Sequence, residues 1–188
     1  HGKHRPSTEY PFHLAVLRSR PDLKAVLHAH PAPIVAYSLE RRLPQMDILP
    51  DVSRLCGKLA IAKYAVPGSE KLGKLIAEQF AAGCDTVLLE NHGVVLGAES
   101  LERAFMMFES LDFAARTGIA ASMLKRDARE LTADELASKN TAKTYADTLA
   151  ADENPLRAEM VAMSRRSYRN KLFNSATGVF AQRVDGGF

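Results

Sequence analysis

Cysteine, net charge and long apolar runs are all scarce in this sequence, and each shortage excludes a class of protein. Only Cys56 and Cys84 are present, too few and too far apart for a disulfide framework or a CxxC motif, so we expect a reducing cytoplasm. The net charge is only +3, and no basic cluster with interleaved aromatic residues occurs, so we expect no nucleic-acid partner. No apolar run reaches the length of a membrane span and no signal peptide is recognisable, so we expect no membrane association.

The length and composition fit one globular domain with a substantial core. The chain has 188 residues, of which 46% are hydrophobic and 25% are charged, and these values are ordinary for such domains. Helical and strand-like patterns alternate, but several connections are too short for parallel crossovers, and Thr86–Ala98 resembles a hairpin. We therefore predict an α/β fold with a mainly antiparallel sheet.

Apolar periodicity, capping residues and turn signals predict the individual elements. Leu43–Lys58 contains Pro44, Pro50 and Gly57 and is predicted to be irregular, and Asp152–Pro155 is predicted to be a linker. The predicted strands are Lys24–His28, Leu59–Ala65, Thr86–Glu90 and Val94–Ala98. The predicted helices run from Glu9 to Ser19, from Pro33 to Leu39, from the Ser69 cap to about Ala82, from Ser100 onward, and from Thr132 onward with Glu135 completing a capping box.

The helix after Ser100 is predicted to bury one long apolar stripe. Apolar side chains recur there at helical spacing, which is typical of a face packed against a core. The stripe consists of Leu101, Ala104, Phe105, Phe108, Leu111, Ala115, Ile119 and Met123.

Three histidines are candidate metal ligands. His28 and His30 are two positions apart on a predicted strand, so their side chains share one face. His92 lies between two apolar strands and is followed by Gly93, which permits a bulge that aims a side chain into a site. Three imidazoles at strand ends match the ligand count of an open catalytic zinc site. The alternative is one packed histidine, one surface histidine and a plain Asn-His-Gly turn.

Glu9 is the candidate for proton transfer. Near a metal and partly dehydrated, its pKa would move toward neutrality, as general acid–base catalysis requires. The alternative is an ordinary carboxylate in the first turn of a helix, stabilised by the helix dipole. His13 lies one helical turn after Glu9, and we interpret it as structural.

Four motifs occur together in this sequence: Lys3-His4-Arg5-Pro6-Ser7-Thr8-Glu9, His28-Ala29-His30-Pro31, Tyr64-Ala65-Val66-Pro67-Gly68-Ser69 and Glu90-Asn91-His92-Gly93. In their order and spacing they resemble the class II aldolase/adducin family, over roughly Arg5 to Met123. The resemblance implies a three-layer α/β/α fold around an antiparallel sheet. It also implies that His28, His30 and His92 bind zinc or a similar divalent ion, that Glu9 is the catalytic acid/base, and that subunits form tetramers.

The sequence departs from the family pattern in two places. The family's opening segment carries a Gly-Asn motif that binds the substrate's anionic group, and the resemblance places that segment before His1. Instead, Tyr168–Arg183 resembles such an opening, with Val179 where the Asn is expected. We therefore predict a tandem protein, with an aldolase-like domain at residues 1–151 and a linker and degenerate second module at 152–188. A circular rearrangement, or a partner copy that supplies the front, is the alternative.

The second departure concerns the reaction. Sugar-phosphate aldolases carry a tyrosine after the turn that follows the metal-binding strand, and the corresponding stretch Met46–Leu49 has none. The resemblance implies a metal-dependent lyase that cleaves a carbon–carbon bond through a metal-stabilised enediolate, in a small sugar-phosphate or hydroxy-carbonyl substrate. Zinc is the expected cofactor, with manganese, cobalt or iron as alternatives. An epimerase, decarboxylase or dehydratase, or an adducin-like scaffold, remains open.

Overall fold

The computed structural model describes residues 6–124, 129–138 and 154–171 of the chain. In chain order, the strands and helices alternate in the way that the α/β prediction requires. The strands are β1 (Ala25–Ala29), β2 (Leu59–Ala62), β3 (Thr86–Leu89) and β4 (Gly93–Ala98). The helices are α1 (Tyr10–Ser19), α2 (Ala32–Leu39), α3 (Pro50–Cys56), α4 (Glu70–Ala81), α5 (Leu101–Met123), α6 (Ala133–Ser138) and α7 (Asn154–Arg169).

The four strands form one sheet in the order β1-β4-β3-β2. β4 pairs antiparallel with both β1 and β3, and β2 pairs parallel with β3. The β3–β4 pair is the predicted hairpin, and the mainly antiparallel sheet is confirmed. All residues of β3 and β4 are buried, whereas those of β1 are only partly buried, because the central strands are covered on both faces.

Two separate apolar clusters lie on the two faces of the sheet, so the fold has the predicted three layers. On one face, α1 and α4 pack together and cover the strands through residues that include Phe12, Ile76 and Phe80. On the other face, α2, α3 and α5 surround Ile34 and Leu111. Burial of these side chains provides the main driving force for folding.

Several helix starts follow the predicted capping chemistry. The Ser69 hydroxyl accepts a hydrogen bond from the Leu72 amide at 3.2 Å, and the Ser100 hydroxyl accepts one from the Arg103 amide at 3.1 Å. At α6, the Glu135 amide donates to the Thr132 hydroxyl, and the Thr132 amide donates to the Glu135 carboxylate. This reciprocal pair is a capping box, as predicted.

The prediction of irregular structure over Leu43–Lys58 is wrong in its second half, where α3 forms. Proline is compatible with the first turn of a helix, so Pro50 begins α3 instead of interrupting it. Gly57 adopts φ +62° directly after the helix, a conformation that favours glycine. The two residues interpreted as breakers therefore mark the two ends of a short helix.

The stripe predicted for α5 is wrong at some positions. Ala104, Leu111 and Ala115 are buried as expected, but the larger Leu101 and Phe105 are exposed. Smaller or more polar side chains occupy the remainder of the buried face, among them Met107, Ser110 and Ala114. Apolar residues therefore occur on both sides of this helix, and periodicity alone does not identify the side that packs.

The C-terminal predictions are only partly covered by the described residues. α7 starts at Asn154, so the second half of the predicted Asp152–Pro155 linker is helical, while Asp152 and Glu153 lie outside the described residues. The segment Tyr168–Arg183 is described only as far as Lys171, so the second module stays a prediction. Within the described ranges, no helix has both the length and the apolar character needed to cross a bilayer.

Candidate metal and catalytic site

The four predicted site residues meet at one end of the sheet. His28 lies near the end of β1, His30 follows that strand, His92 lies in the turn before β4, and Glu9 directly precedes α1. Because β1 and β4 are antiparallel, the end of β1 lies beside the beginning of β4. One potential ligand atom from each of the four residues lies within 4.8 Å of the other three.

The three imidazole rings are in mutual contact. The ring centroids of His28 and His30 are 4.4 Å apart, those of His28 and His92 are 5.0 Å apart, and those of His30 and His92 are 4.9 Å apart. His28 and His30 therefore share a face, as their spacing predicts. The turn between β3 and β4 brings His92 to the same place.

A backbone hydrogen bond sets the tautomer of His28. Its Nδ1 lies 2.9 Å from the carbonyl oxygen of Val94, and a carbonyl only accepts, so the proton is on Nδ1. The lone pair is therefore on Nε2, which is buried and has no hydrogen-bond partner. A histidine oriented in this way through its second nitrogen is typical of a metal ligand.

The Glu9 carboxylate lies between two of the histidines. Its Oε2 is 3.1 Å from His28 Nε2, and its Oε1 is 3.2 Å from His92 Nε2. The side chains of Glu9 and His28 are only 17% and 6% exposed, and Glu9 Oε1 also lacks a hydrogen-bond partner. Burying hydrogen-bond acceptors that face one another with no N–H or O–H between them costs free energy. A divalent cation bound by these nitrogen and oxygen atoms would remove that cost, so the residues present fit such an ion.

Burial favours the neutral, metal-binding form of His28 and His92. Burial lowers the pKa of His28, and this effect exceeds the opposing effects of the Val94 hydrogen bond and Glu9. Burial also lowers the pKa of His92, against the attraction of Glu9. Neutral imidazole is the ligand form of histidine. His13, whose pKa is also lowered by burial, stacks on Phe12 and is not one of the four clustered residues.

Sequence reasoning missed the residues that support this cluster. Phe12, almost fully buried, contacts the His28 ring edge-on with a centroid distance of 5.1 Å. Glu90 contacts the backbone of Tyr64 and the side chain of Arg41 close to the His92 turn. Phe12 lies three residues after Glu9 on an apolar helical face, which is a weak signal. The Val94 carbonyl contact has no sequence signal, because any residue supplies a carbonyl.

Residues 1–119 match the family model described as Class II Aldolase and Adducin N-terminal domain. The chain therefore belongs to the class II aldolase and adducin family, as the four motifs predict. This membership defines the class of protein. It covers the site residues Glu9, His28, His30 and His92.

Among curated proteins, the chain is similar to enzymes with two different activities. It is 34% identical over 137 residues to 3-oxo-tetronate 4-phosphate decarboxylase of Escherichia coli, and the aligned region covers 71% of this chain and 63% of that protein. It is 29% identical over 142 residues to L-fuculose phosphate aldolase of Escherichia coli, and the aligned region covers 72% of this chain and 65% of that protein. The chain thus spans less than two thirds of the length of these relatives.

The chain is also similar to solved structures of enzymes from this family. YgbL of Escherichia coli, a putative aldolase/epimerase/decarboxylase, superimposes with a TM-score of 0.63 at 33% identity, over 71% of this chain and 65% of that one. An L-fuculose 1-phosphate aldolase superimposes with a TM-score of 0.64 at 29% identity, over 73% of this chain and 63% of that one. The family's enzymes therefore share this fold.

Proposed function

We propose that this chain carries the metal and acid–base centre of a cytoplasmic class II aldolase-type lyase. In this proposal His28, His30 and His92 hold a divalent cation, and Glu9 transfers the proton. The substrate is a small sugar-phosphate or hydroxy-carbonyl compound. The observation that supports the proposal is the buried His28 Nε2, which has a fixed lone pair and no hydrogen-bond partner beside a carboxylate.

The residues present fit such a cation chemically. Three imidazole ligands suit zinc first, with manganese, cobalt and iron as alternatives. When bound, the cation would supply Lewis-acid stabilisation of the negative charge that develops on substrate oxygens, which contributes several kcal/mol in such enzymes. A scaffold protein has no need of this set of four residues, and this argues against an adducin-like role.

Glu9 is placed to move a proton between the substrate and solvent. Its carboxylate lies 3.1 Å and 3.2 Å from the Nε2 atoms of His28 and His92, so a substrate held at these histidines would place a hydroxyl or C–H proton near it. The small exposed fraction of the carboxylate leaves a route for the proton to reach water. General acid–base transfer of this kind accelerates reactions by about 10² to 10⁴.

Decarboxylation is the second candidate reaction, and the similarity to the 3-oxo-tetronate 4-phosphate decarboxylase supports it. In that reaction the bond between the carboxylate carbon and its neighbour breaks, CO₂ leaves, and the electron pair of the bond stays on the neighbouring carbon as an enolate of the adjacent carbonyl. Glu9 then delivers to that carbon a proton that it has taken up from solvent. The absence of tyrosine from Met46–Leu49 also fits a reaction other than sugar-phosphate aldol cleavage. Epimerisation and dehydration are further alternatives, and assembly as a homo-oligomer, a tetramer in such proteins, is part of the proposal.

Metal analysis followed by a substrate screen tests the proposal. We expect near-stoichiometric metal in the purified protein by plasma mass spectrometry, and loss of that metal in His28→Ala. The metal-loaded protein is then assayed with sugar phosphates for carbonyl products and with phosphorylated 3-oxo acids for CO₂. Absence of metal in the unmodified protein, even after incubation with zinc or manganese, would overturn the proposal in favour of a scaffold.

A further inference from the structure

We infer that Glu90 is a positioning residue that holds His92 in place relative to Glu9. This inference rests on the proposed function, because it concerns the support of a proposed metal ligand. Glu90 lies two positions before His92 in the turn between β3 and β4, and its side chain is only 17% exposed. It was not among the predicted site residues.

The Glu90 carboxylate connects the turn to two other segments. Its Oε2 accepts a hydrogen bond from the Tyr64 amide at 3.0 Å, just beyond the end of β2. Its Oε1 lies 3.4 Å from Nε of Arg41, which follows α2. Arg41 is 70% exposed, and exposed ion pairs contribute little. The hydrogen bond to Tyr64 is the shorter of the two links, at 3.0 Å against 3.4 Å, and it involves the backbone.

Backbone hydrogen bonds anchor the turn on both sides of Asn91. The Glu90 amide donates to the carbonyl of Ala62 at 3.0 Å, and the His92 amide donates to the carbonyl of Leu89 at 3.1 Å. Asn91 itself has φ +56°, the left-handed conformation that a turn of this kind requires. The Glu90 side chain adds a second connection from this turn to the chain that leaves β2.

The residues that follow Tyr64 lead to a close contact with the residue before Glu9. Four residues after Tyr64, Gly68 approaches the neighbour of Glu9, since a Cβ on Gly68 would lie 2.9 Å from the carbonyl oxygen of Thr8. Glu90 therefore links the turn that carries His92 with the loop that contacts Thr8. The distance of 3.2 Å between His92 Nε2 and Glu9 Oε1 depends on both segments.

Loss of the carboxylate would remove the direct link between the turn and the Tyr64 backbone, and the turn would be held less firmly. Residues that orient metal ligands typically change metal affinity by about 10- to 100-fold when they are replaced. We expect Glu90→Ala to weaken zinc binding by about tenfold. Glu90→Gln keeps an oxygen acceptor and should have a smaller effect. Glu90→Asp keeps the charge but shortens the side chain, so it should resemble Glu90→Ala.

Arg20→Ala is the control for general loss of stability. Arg20 lies at the opposite end of the sheet, where its guanidinium group contacts Asp22, Asp85 and the carbonyl oxygens of Phe80 and Cys84. Its replacement should lower the melting temperature without changing the metal site. Zinc affinity is measured on the full chain by competition with a chromophoric chelator. Coordination geometry is measured from the visible absorption spectrum of the cobalt-loaded protein.

The outcomes separate this inference from the proposed function. We expect weaker zinc affinity and an altered cobalt spectrum in Glu90→Ala, and neither change in Arg20→Ala. Tight zinc binding by the unmodified protein and by every Glu90 variant would overturn the inference and leave the proposed function standing. Equal losses in Glu90→Ala and Arg20→Ala would also overturn it. If the unmodified protein binds no zinc or cobalt, the proposed function fails and the inference fails with it. If Glu90→Ala does not fold, Glu90→Gln and Glu90→Asp decide by the same measurements.

Discussion

Gly93 lies so close to His30 that no side chain fits between them. A Cβ on Gly93 would be 2.8 Å from Cδ2 of His30 and 2.5 Å from the carbonyl oxygen of Ala29. β4 therefore begins with glycine because the histidine-bearing end of β1 approaches it closely. The close approach couples the conformation of the backbone to the position of one proposed metal ligand.

Gly93→Ala should disturb both the fold and the metal site. The added methyl group must displace His30 or the Ala29 backbone, and overpacking of this kind costs about 1–3 kcal/mol. We expect a lower free energy of unfolding in urea and weaker zinc binding by chelator competition. Gly97→Ala, near the other end of β4, is the matched control, because its Cβ would be similarly crowded, 2.6 Å from Leu23 Cδ1 and 2.8 Å from Phe80 Cε1. It should lower the free energy of unfolding without weakening zinc binding. Unchanged zinc affinity in Gly93→Ala would show that the position of His30 is not critical.

Substitutions at Glu9 and His92 should distinguish the residue that transfers the proton from a residue that binds the metal. His92→Ala removes a proposed ligand and should abolish both stoichiometric metal binding and turnover. Glu9→Gln should keep the metal and lower turnover by about 10²- to 10⁴-fold, because only the proton-transfer group is lost. Metal content and turnover are measured on the same preparations.

Glu70→Gln is the control for the Glu9 substitution, since Glu70 is an exposed carboxylate in the first turn of α4. It should change neither measurement. Loss of metal from Glu9→Gln would instead assign Glu9 as a ligand, and full activity of Glu9→Gln would remove it from the mechanism.

The juxtaposition of His28 and His30 was predictable because it depends on local periodicity. The two-residue spacing of His28 and His30 places both side chains on one face of any strand, and the structure has them in contact. The place of Glu9 was not derivable in this way. Its position depends on how α1 packs against the sheet, and only the family resemblance connected it with the histidines.

The errors in the prediction of the fold also have physical causes. Proline disrupts a helix at interior positions but is favoured in the first turn. The effect of Pro50 therefore depends on where the helix begins. Phe105 follows the apolar period of α5 and is nevertheless exposed, because tertiary packing selects one side of the helix. Glu90 resembles any charged residue in a turn until its contact with the Tyr64 amide is known.

Phe12 should influence the site through the orientation of His28. Phe12 is 1% exposed, and its ring makes a T-shaped contact with the His28 ring. Phe12→Ala would remove a buried aromatic side chain, which typically costs about 3–5 kcal/mol, and would leave His28 free to move. Phe12→Leu keeps much of the apolar volume and should cost less. We expect zinc affinity to fall in the order unmodified protein, Phe12→Leu, Phe12→Ala.

Phe80→Leu is the control for this series, because Phe80 is fully buried in the same apolar cluster. It should lower the free energy of unfolding without lowering zinc affinity. If Phe80→Leu and Phe12→Leu lower zinc affinity equally, the contact between Phe12 and His28 has no specific role.

Cys56 should be unreactive in the folded protein and should make stability fall at alkaline pH. Burial raises the pKa of the Cys56 thiol to about 12, and the thiol also donates to the carbonyl oxygen of Met107. Since the thiolate is the reactive form, iodoacetamide at pH 8 should not modify Cys56 until urea unfolds the chain. Intact mass, with and without urea, measures this modification.

The raised pKa of Cys56 should lower the free energy of unfolding at alkaline pH. Below the ordinary thiol pKa of 9.0, the folded and unfolded states both keep the proton, so this thiol has no effect on the pH dependence. Above that value the unfolded state loses the proton while the folded state retains it, and the free energy of unfolding decreases as pH rises. Urea unfolding midpoints between about pH 8 and pH 10.5, on both sides of that pKa, measure how the free energy of unfolding changes with pH. Because lysine and tyrosine residues also titrate there, the comparison is with Cys56→Ala, which should show a shallower decrease. Identical slopes would mean that the Cys56 thiol titrates normally in the folded protein.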